Sequence, residues 1–123
     1  MQPAGRLAFV HEAVLTMPED GDDRGPGGSI TLALCGAFDH PPPCPLAPHQ
    51  TDTHRSRGRL YLRTVFATEP GNEPEVRRRI DIALAGRSQR GPDGTLTTWV
   101  VVSSGPGTLQ PDERDLGVRL ARS

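Results

Sequence analysis

Alternating apolar and polar side chains mark three stretches of the chain as β-strands. Residues 29–38, 59–68 and 95–104 each repeat with a period of two, which places their apolar side chains on one face of a strand. Clusters rich in Gly, Pro, Asp and Ser separate these stretches and are typical of turns. The pattern therefore predicts three strands at these positions.

Residues 6–17 fit two patterns. Phe9 and Leu15 fall on one face of a strand, whereas Val10 and Val14 would belong to the apolar stripe of a helix. A strand is favoured, because β-branched and aromatic residues are present and an acidic, Gly-rich turn segment follows. The helix over the same residues stays open as the alternative.

Residues 72–86 carry the clearest helical pattern in the chain. Apolar side chains recur there at intervals of three and four residues, and Gly86 is suited to end the helix. The run Arg77–Arg79 is expected to point mostly to solvent. A second, short helix is predicted after Pro111, since proline is favoured in the first turn and acidic residues follow it. The apolar stripe of the first helix consists of Val76, Ile80, Ala83 and Leu84.

Together these elements predict a single α+β domain over residues 1–123. The expected order is β-β-β-α-β-α, with about four strands in a mainly antiparallel sheet and two helices packed on one face. A chain of 123 residues is long enough to bury a core without metals or disulfides, and too short for two ordinary domains.

Charge and hydropathy exclude two classes of partner. The chain has 14 basic and 15 acidic side chains, and this net charge of −1 does not suit a general nucleic-acid binder. No run approaches the ~20 apolar residues that a membrane span needs, and no export signal is visible at the N-terminus. We therefore expect a cytoplasmic protein in which Cys35 and Cys44 are reduced, and a disulfide between them stays open only if the chain is secreted by another route.

A loop predicted over residues 39–58 concentrates most of the reactive side chains. Five prolines stiffen it, and three of the four histidines of the chain lie within it. One cysteine lies inside the loop and the other lies just before it. The resulting set of candidate metal ligands is Cys35, His40, Cys44, His49 and His54.

The composition of this set favours zinc. Zn²⁺ prefers four sulfur or nitrogen ligands in a tetrahedron, and thiolate with imidazole is a common mixture. The sequence predicts Cys35, His40, Cys44 and His49 as ligands, with His54 and Asp39 as substitutes or outer partners. Four protein ligands would make a structural site, whereas an open coordination position would permit hydrolytic chemistry.

Two other functions compete with the metal hypothesis. The Pro-rich loop and an exposed sheet edge could dock a protein partner or a second copy of the chain, which would make this a non-catalytic interaction module. A small enzyme with Cys44 as nucleophile, activated by His40 or His49, ranks behind both because no oxyanion hole or substrate pocket is visible. The carboxylates, Asp81 among them, show no pairing that would identify an acid/base couple.

Overall fold

The computed structural model of the chain describes residues 5–36, 46–91 and 93–122. Two short 3₁₀ turns precede the second and third helices. The strands are β1 Leu7–Thr16, β2 His49–Ser56, β3 Arg59–Thr68, β4 Ser88–Arg90, β5 Leu96–Thr98 and β6 Val100–Gly107. The helices are α1 Arg24–Cys35, α2 Glu73–Ala85 and α3 Arg114–Ala121.

The main sheet has four antiparallel strands in the order β2-β3-β1-β6. Helix α1 connects β1 to β2, and β3 lies between those two strands in the sheet. Helix α2 leads from β3 towards β6, and β1 lies between that pair. The result is two interleaved split β-α-β units, with a small β4–β5 hairpin inserted between α2 and β6.

These elements confirm the predicted α+β class with a four-stranded antiparallel sheet. Residues 6–17 form a strand, as favoured, and residues 59–68 and 72–86 form the expected strand and helix. The predicted strand over 95–104 is divided at Trp99 into β5 and β6. No helix in the described part of the chain has the length and apolar character that crossing a lipid bilayer requires.

The strand predicted over residues 29–38 is wrong, because its described part lies in α1. Pro26, Ile30 and Leu34 are buried and recur every four residues, so they form one face of a helix. Ile30 and Leu34 satisfy a period of two equally well, which is why alternation misassigned the segment. Gly36 ends the helix at a φ of 84°, and its N–H donates to the Leu32 carbonyl at 2.9 Å.

The loop predicted over residues 39–58 is corrected in its second half, since residues 49–56 form β2. This strand contains no apolar side chain and therefore shows no alternation. It is held by its register with β3, and a two-residue turn joins the two strands. Arg57 and Gly58 occupy that turn with φ angles of 51° and 76°, the geometry of a tight hairpin. Residues 39–45 lie outside the described part of the chain.

The core lies between one face of the sheet and the pair α1 and α2. Leu15, Leu60 and Phe66 project from the sheet into it, where they meet Ile30 of α1 and Ile80 of α2. The two helices on this face are therefore α1 and α2, whereas the expected pair was α2 and the C-terminal helix. The additional helix α1 also changes the expected order β-β-β-α-β-α, because it follows the first strand.

The C-terminal helix α3 packs on the opposite face of the sheet. Ala8 belongs to that face by alternation along β1. A Cβ placed on Gly117 of α3 would lie only 2.7 Å from the Cβ of Ala8, so the backbone of α3 approaches the sheet closely at this point. The absence of a side chain at Gly117 permits this packing.

Candidate functional site

Two of the predicted metal ligands lie side by side at the end of α1 and the start of β2. The Sγ atom of Cys35 is 3.8 Å from Nδ1 of His49. Cys35 is disulfide-bonded in the structure, which differs from the expected free thiol, and a disulfide sulfur is not the thiolate that binds zinc. His40 and Cys44, with Asp39, lie outside the described residues.

The hydrogen bonds of His49 define its protonation. Its Nδ1 lies 3.0 Å from the carbonyl oxygen of Ala47, which can only accept, so Nδ1 carries the proton. In the neutral ring Nε2 then accepts from the hydroxyl of Thr31 at 3.0 Å. A ring held in this way presents Nε2, and not Nδ1, as its basic nitrogen.

His54 lies away from Cys35 and His49. It lies on β2 five residues after His49, and an odd number of residues places it on the opposite face of the strand. Its ring sits near that of Tyr61, with the centroids 6.4 Å apart. Within residues 5–36, 46–91 and 93–122, no three His, Cys, Asp or Glu side chains form a group that could hold a metal ion.

A polar groove of about 520 Å³ lies beside His49, between α1, β2 and the β4–β5 hairpin. Threonines from all three of these elements line it. Its carboxylates at Asp22 and Asp23 are engaged within the protein, since Asp22 accepts from the backbone of Arg24 and Asp23 from Arg55. The threonines are Thr31, Thr51, Thr53 and Thr97.

A second cluster of polar side chains lies where β1, α2 and β6 meet. His11 of β1 is only 3% exposed. Its Nε2 is 2.8 Å from the hydroxyl of Ser104 on β6, and that hydroxyl donates to Asp81 of α2 at 2.6 Å. On the other side of the ring, Arg77 of α2 donates to Nδ1 at 3.0 Å and to the carbonyl of Val10 at 2.8 Å.

The composition of this cluster resembles a serine nucleophile with its base, but its proton arrangement is the reverse. Arg77 has only donors, so Nδ1 of His11 must accept and the proton of the neutral ring lies on Nε2. His11 therefore donates to Ser104, and Ser104 donates to Asp81. A serine is activated when histidine accepts its proton. The chain of hydrogen bonds thus orients Ser104 without activating it.

Burial governs the acidity of His11. Loss of solvent lowers the pKa of its imidazole below the ordinary 6.5, and the Arg77 cation lowers it further. The Asp81 carboxylate and, more weakly, Glu12 oppose this shift without reversing it. The ring is therefore neutral at physiological pH.

No local pattern in the sequence could have identified this cluster. Ser104 is 93 residues from His11 and 23 residues from Asp81. The pairing of β1 with β6 brings the histidine and the serine together, and the position of α2 adds the carboxylate and the guanidinium. Arg77 was expected to face solvent, but its side chain is only 15% exposed.

Strand β6 forms an edge of the sheet with an unusual composition. Residues 94–111 contain no charged side chain. Val100 is 55% exposed and Val102 is 47% exposed. The other edge, β2, carries Asp52 and Arg55, and charges on an edge strand discourage pairing with another chain. The two edges of this sheet therefore differ in charge.

Comparisons of the chain with protein-family models, with curated proteins and with solved structures found no match.

Proposed function

We propose that this chain is a non-catalytic association module that pairs with a second copy of itself through β6. The observation that supports the proposal is the exposed edge formed by Val100 and Val102 within a segment of 18 uncharged residues, 94–111. An unprotected edge strand offers unpaired backbone N–H and C=O groups to another strand.

A second copy is the partner that this edge fits best. Two neutral edges bring no like charges together, and a two-fold axis lets the same segment pair with itself. The Val100–Ser104 segments would run antiparallel and join two four-stranded sheets into one of eight strands. Pro106 has no backbone N–H to donate, so regular pairing ends before it.

The expected association is weak. Covering the exposed half of Val100 and Val102 contributes about 1 kcal/mol per side chain, or about 4 kcal/mol for two copies. About four backbone hydrogen bonds at about 1 kcal/mol each add a similar amount. Loss of rotational and translational freedom costs at least about 4 kcal/mol. The remainder of about 4 kcal/mol corresponds to a Kd on the order of 1 mM.

Sedimentation equilibrium of wild type and two lysine variants tests this proposal. Val102→Lys places a charge on the edge, whereas Val118→Lys places one on α3 at a residue of nearly equal exposure, 48%. We expect the average mass of wild type to rise between about 10 µM and a few mM, a range that brackets the estimated Kd. Val102→Lys should stay monomeric and Val118→Lys should behave as wild type. A wild type that is monomeric throughout, or equal loss in both variants, would contradict the proposal.

Zinc binding by the reduced chain is the second candidate function, with Cys35, His40, Cys44 and His49 as ligands. The contact of Cys35 Sγ with His49 Nδ1 favours it, because a tetrahedral zinc separates its sulfur and nitrogen ligands by about 3.5 Å, close to the observed 3.8 Å. Binding would require reduction of Cys35, under conditions such as those of the cytoplasm, and release of the Nδ1 proton of His49.

Metal analysis of the reduced protein separates this candidate from the first. The protein is purified without a His tag, loaded with Zn²⁺ under reducing conditions, and desalted before its zinc content is measured. Cys35→Ser and His49→Ala should each remove the metal, whereas His54→Ala should retain it because His54 lies on the other face of β2. A wild type without stoichiometric zinc rules this function out.

A further inference from the structure

The buried ring of His11 lies under the seam between α2 and β6. Asp81 of α2 and Ser104 of β6 bound this seam, and both are exposed although His11 beneath them is buried. Arg77 closes the inner side of the ring. One imidazole thus connects a helix to the edge strand through hydrogen bonds on both of its nitrogens.

We propose that His11 is a pH-sensitive latch: the neutral ring holds the seam between α2 and β6 closed, and protonation of the ring opens it. All of the side chains involved belong to one copy of the chain. The latch therefore stands independently of whether β6 pairs with a second copy.

Protonation is incompatible with the hydrogen bonds on the inner side of the ring. The imidazolium carries a proton on each nitrogen, so its Nδ1–H would face the Nη1 donor of Arg77, which lies 3.0 Å away. Two donors that both carry positive charge cannot keep this contact. Arg77 retains Val10 and Glu73 as acceptors, so the contact with His11 is the one that breaks.

The other groups around the ring set the direction in which it moves. Asp81 attracts the imidazolium from α2, with its carboxylate 3.4 Å from Nε2, and Glu12 attracts it more weakly from β1. Thr64 faces His11 from β3 and does not titrate in this range. The charge also needs water, which is nearest on the exposed side where Asp81 and Ser104 lie. The ring therefore moves outward through the seam and separates β6 from α2.

The latch links stability to pH in a defined direction. Because burial holds the pKa of His11 below 6.5 in the folded chain, the unfolded chain takes up this proton first as the pH falls. The contribution of the neutral ring is complete above about pH 6.5 and is lost progressively as the pH falls through the folded pKa. Strand β6 should loosen over the same interval.

Amide hydrogen exchange tests the latch, with rates converted to protection factors so that the intrinsic effect of pH is removed. Between about pH 7.5 and pH 5, on either side of the ordinary histidine pKa, we expect the protection of β6 amides to fall more than that of β2 amides. His11→Gln, which cannot be protonated, should abolish this difference. His54→Gln is the matched control on the opposite face and should preserve it.

Equal changes in β6 and β2, or a difference that persists in His11→Gln, would overturn the proposal. If that variant does not fold, nitrogen NMR of the wild-type ring decides the question. The neutral ring should carry its proton on Nε2 and should titrate below 6.5. A proton on Nδ1, or titration at or above 6.5, would contradict the latch.

Discussion

Arg77 and Arg78 are adjacent arginines on α2 that offer a direct test of the buried cluster. Each forms a salt bridge with a glutamate of its own helix, Arg77 with Glu73 and Arg78 with Glu75. They differ in surroundings, since the side chain of Arg77 is 15% exposed and that of Arg78 is 59% exposed. Replacing either with methionine keeps a long side chain and good helix propensity.

The contacts of Arg77 set the size of the expected effect. Its hydrogen bond to the Val10 carbonyl, from a charged and largely buried donor, is worth about 1–2 kcal/mol. Its guanidinium also lies 5.3 Å from the centre of the Phe66 ring, a contact worth about 0.5–1 kcal/mol. We therefore expect Arg77→Met to lower the free energy of unfolding by about 1.5–3 kcal/mol. Arg78→Met should change it little, because surface ion pairs contribute little.

Urea unfolding followed by Trp99 fluorescence measures both variants at about pH 7.5 and pH 5.5, on either side of the ordinary histidine pKa. Arg77→Met should also flatten the pH dependence of stability, because removal of a neighbouring cation raises the pKa of His11 towards that of the unfolded chain. An equal loss of stability in the two variants would refute the conclusion that the contacts of Arg77 with Val10 and Phe66 stabilise the fold. An unchanged pH dependence in Arg77→Met would refute its coupling to His11.

Three further predictions follow from packing and burial. Gly117→Ala should lower the free energy of unfolding by about 1–3 kcal/mol, because the new Cβ would lie 2.7 Å from the Cβ of Ala8. Gly71→Ala is the control: nothing lies within 4 Å of its new Cβ, so the free energy of unfolding should fall less. Trp99→Phe should cost about 1–3 kcal/mol, since it removes the 2.9 Å hydrogen bond from Nε1 to the Leu84 carbonyl and part of a fully buried ring. Wild-type stability, measured by urea unfolding, should fall as the pH is lowered below about 6.5, and His11→Gln should reduce that fall. A pH profile that is the same in both proteins would contradict the last prediction.

Strand β3 and helix α2 could be predicted from the sequence because their patterns favour one type of element. Strand β3 alternates through Arg59–Arg63, and the stripe of α2 includes Ala83 between Ile80 and Leu84, an interval of three residues that a strand does not produce. In α1 the pattern was ambiguous, because residues four apart satisfy both a helix and a strand. The buried face there depends on contacts with α2 that no local pattern contains.

Strand β2 could not be predicted, for a different physical reason. Its eight residues are all polar, so it has no apolar alternation to detect. It forms because β3 supplies a ladder of backbone partners and because the Arg57–Gly58 turn brings the chain back at the correct register. A polar edge strand of this kind is determined by its neighbour and only weakly by its own side chains.

The position of His49 and His54 on strand β2 determines whether both histidines could bind one metal ion. Within a loop, His49 and His54 could both approach one metal ion, and the concentration of histidines suggested that they do. Within a strand, the period of two directs them to opposite faces, so that only His49 reaches Cys35. Strand β2 is one edge of the sheet and carries charged side chains, whereas β6, at the other edge, carries none. Charge is therefore distributed unevenly between the two edges of the described sheet, and the uncharged edge strand is the one that His11 connects to α2.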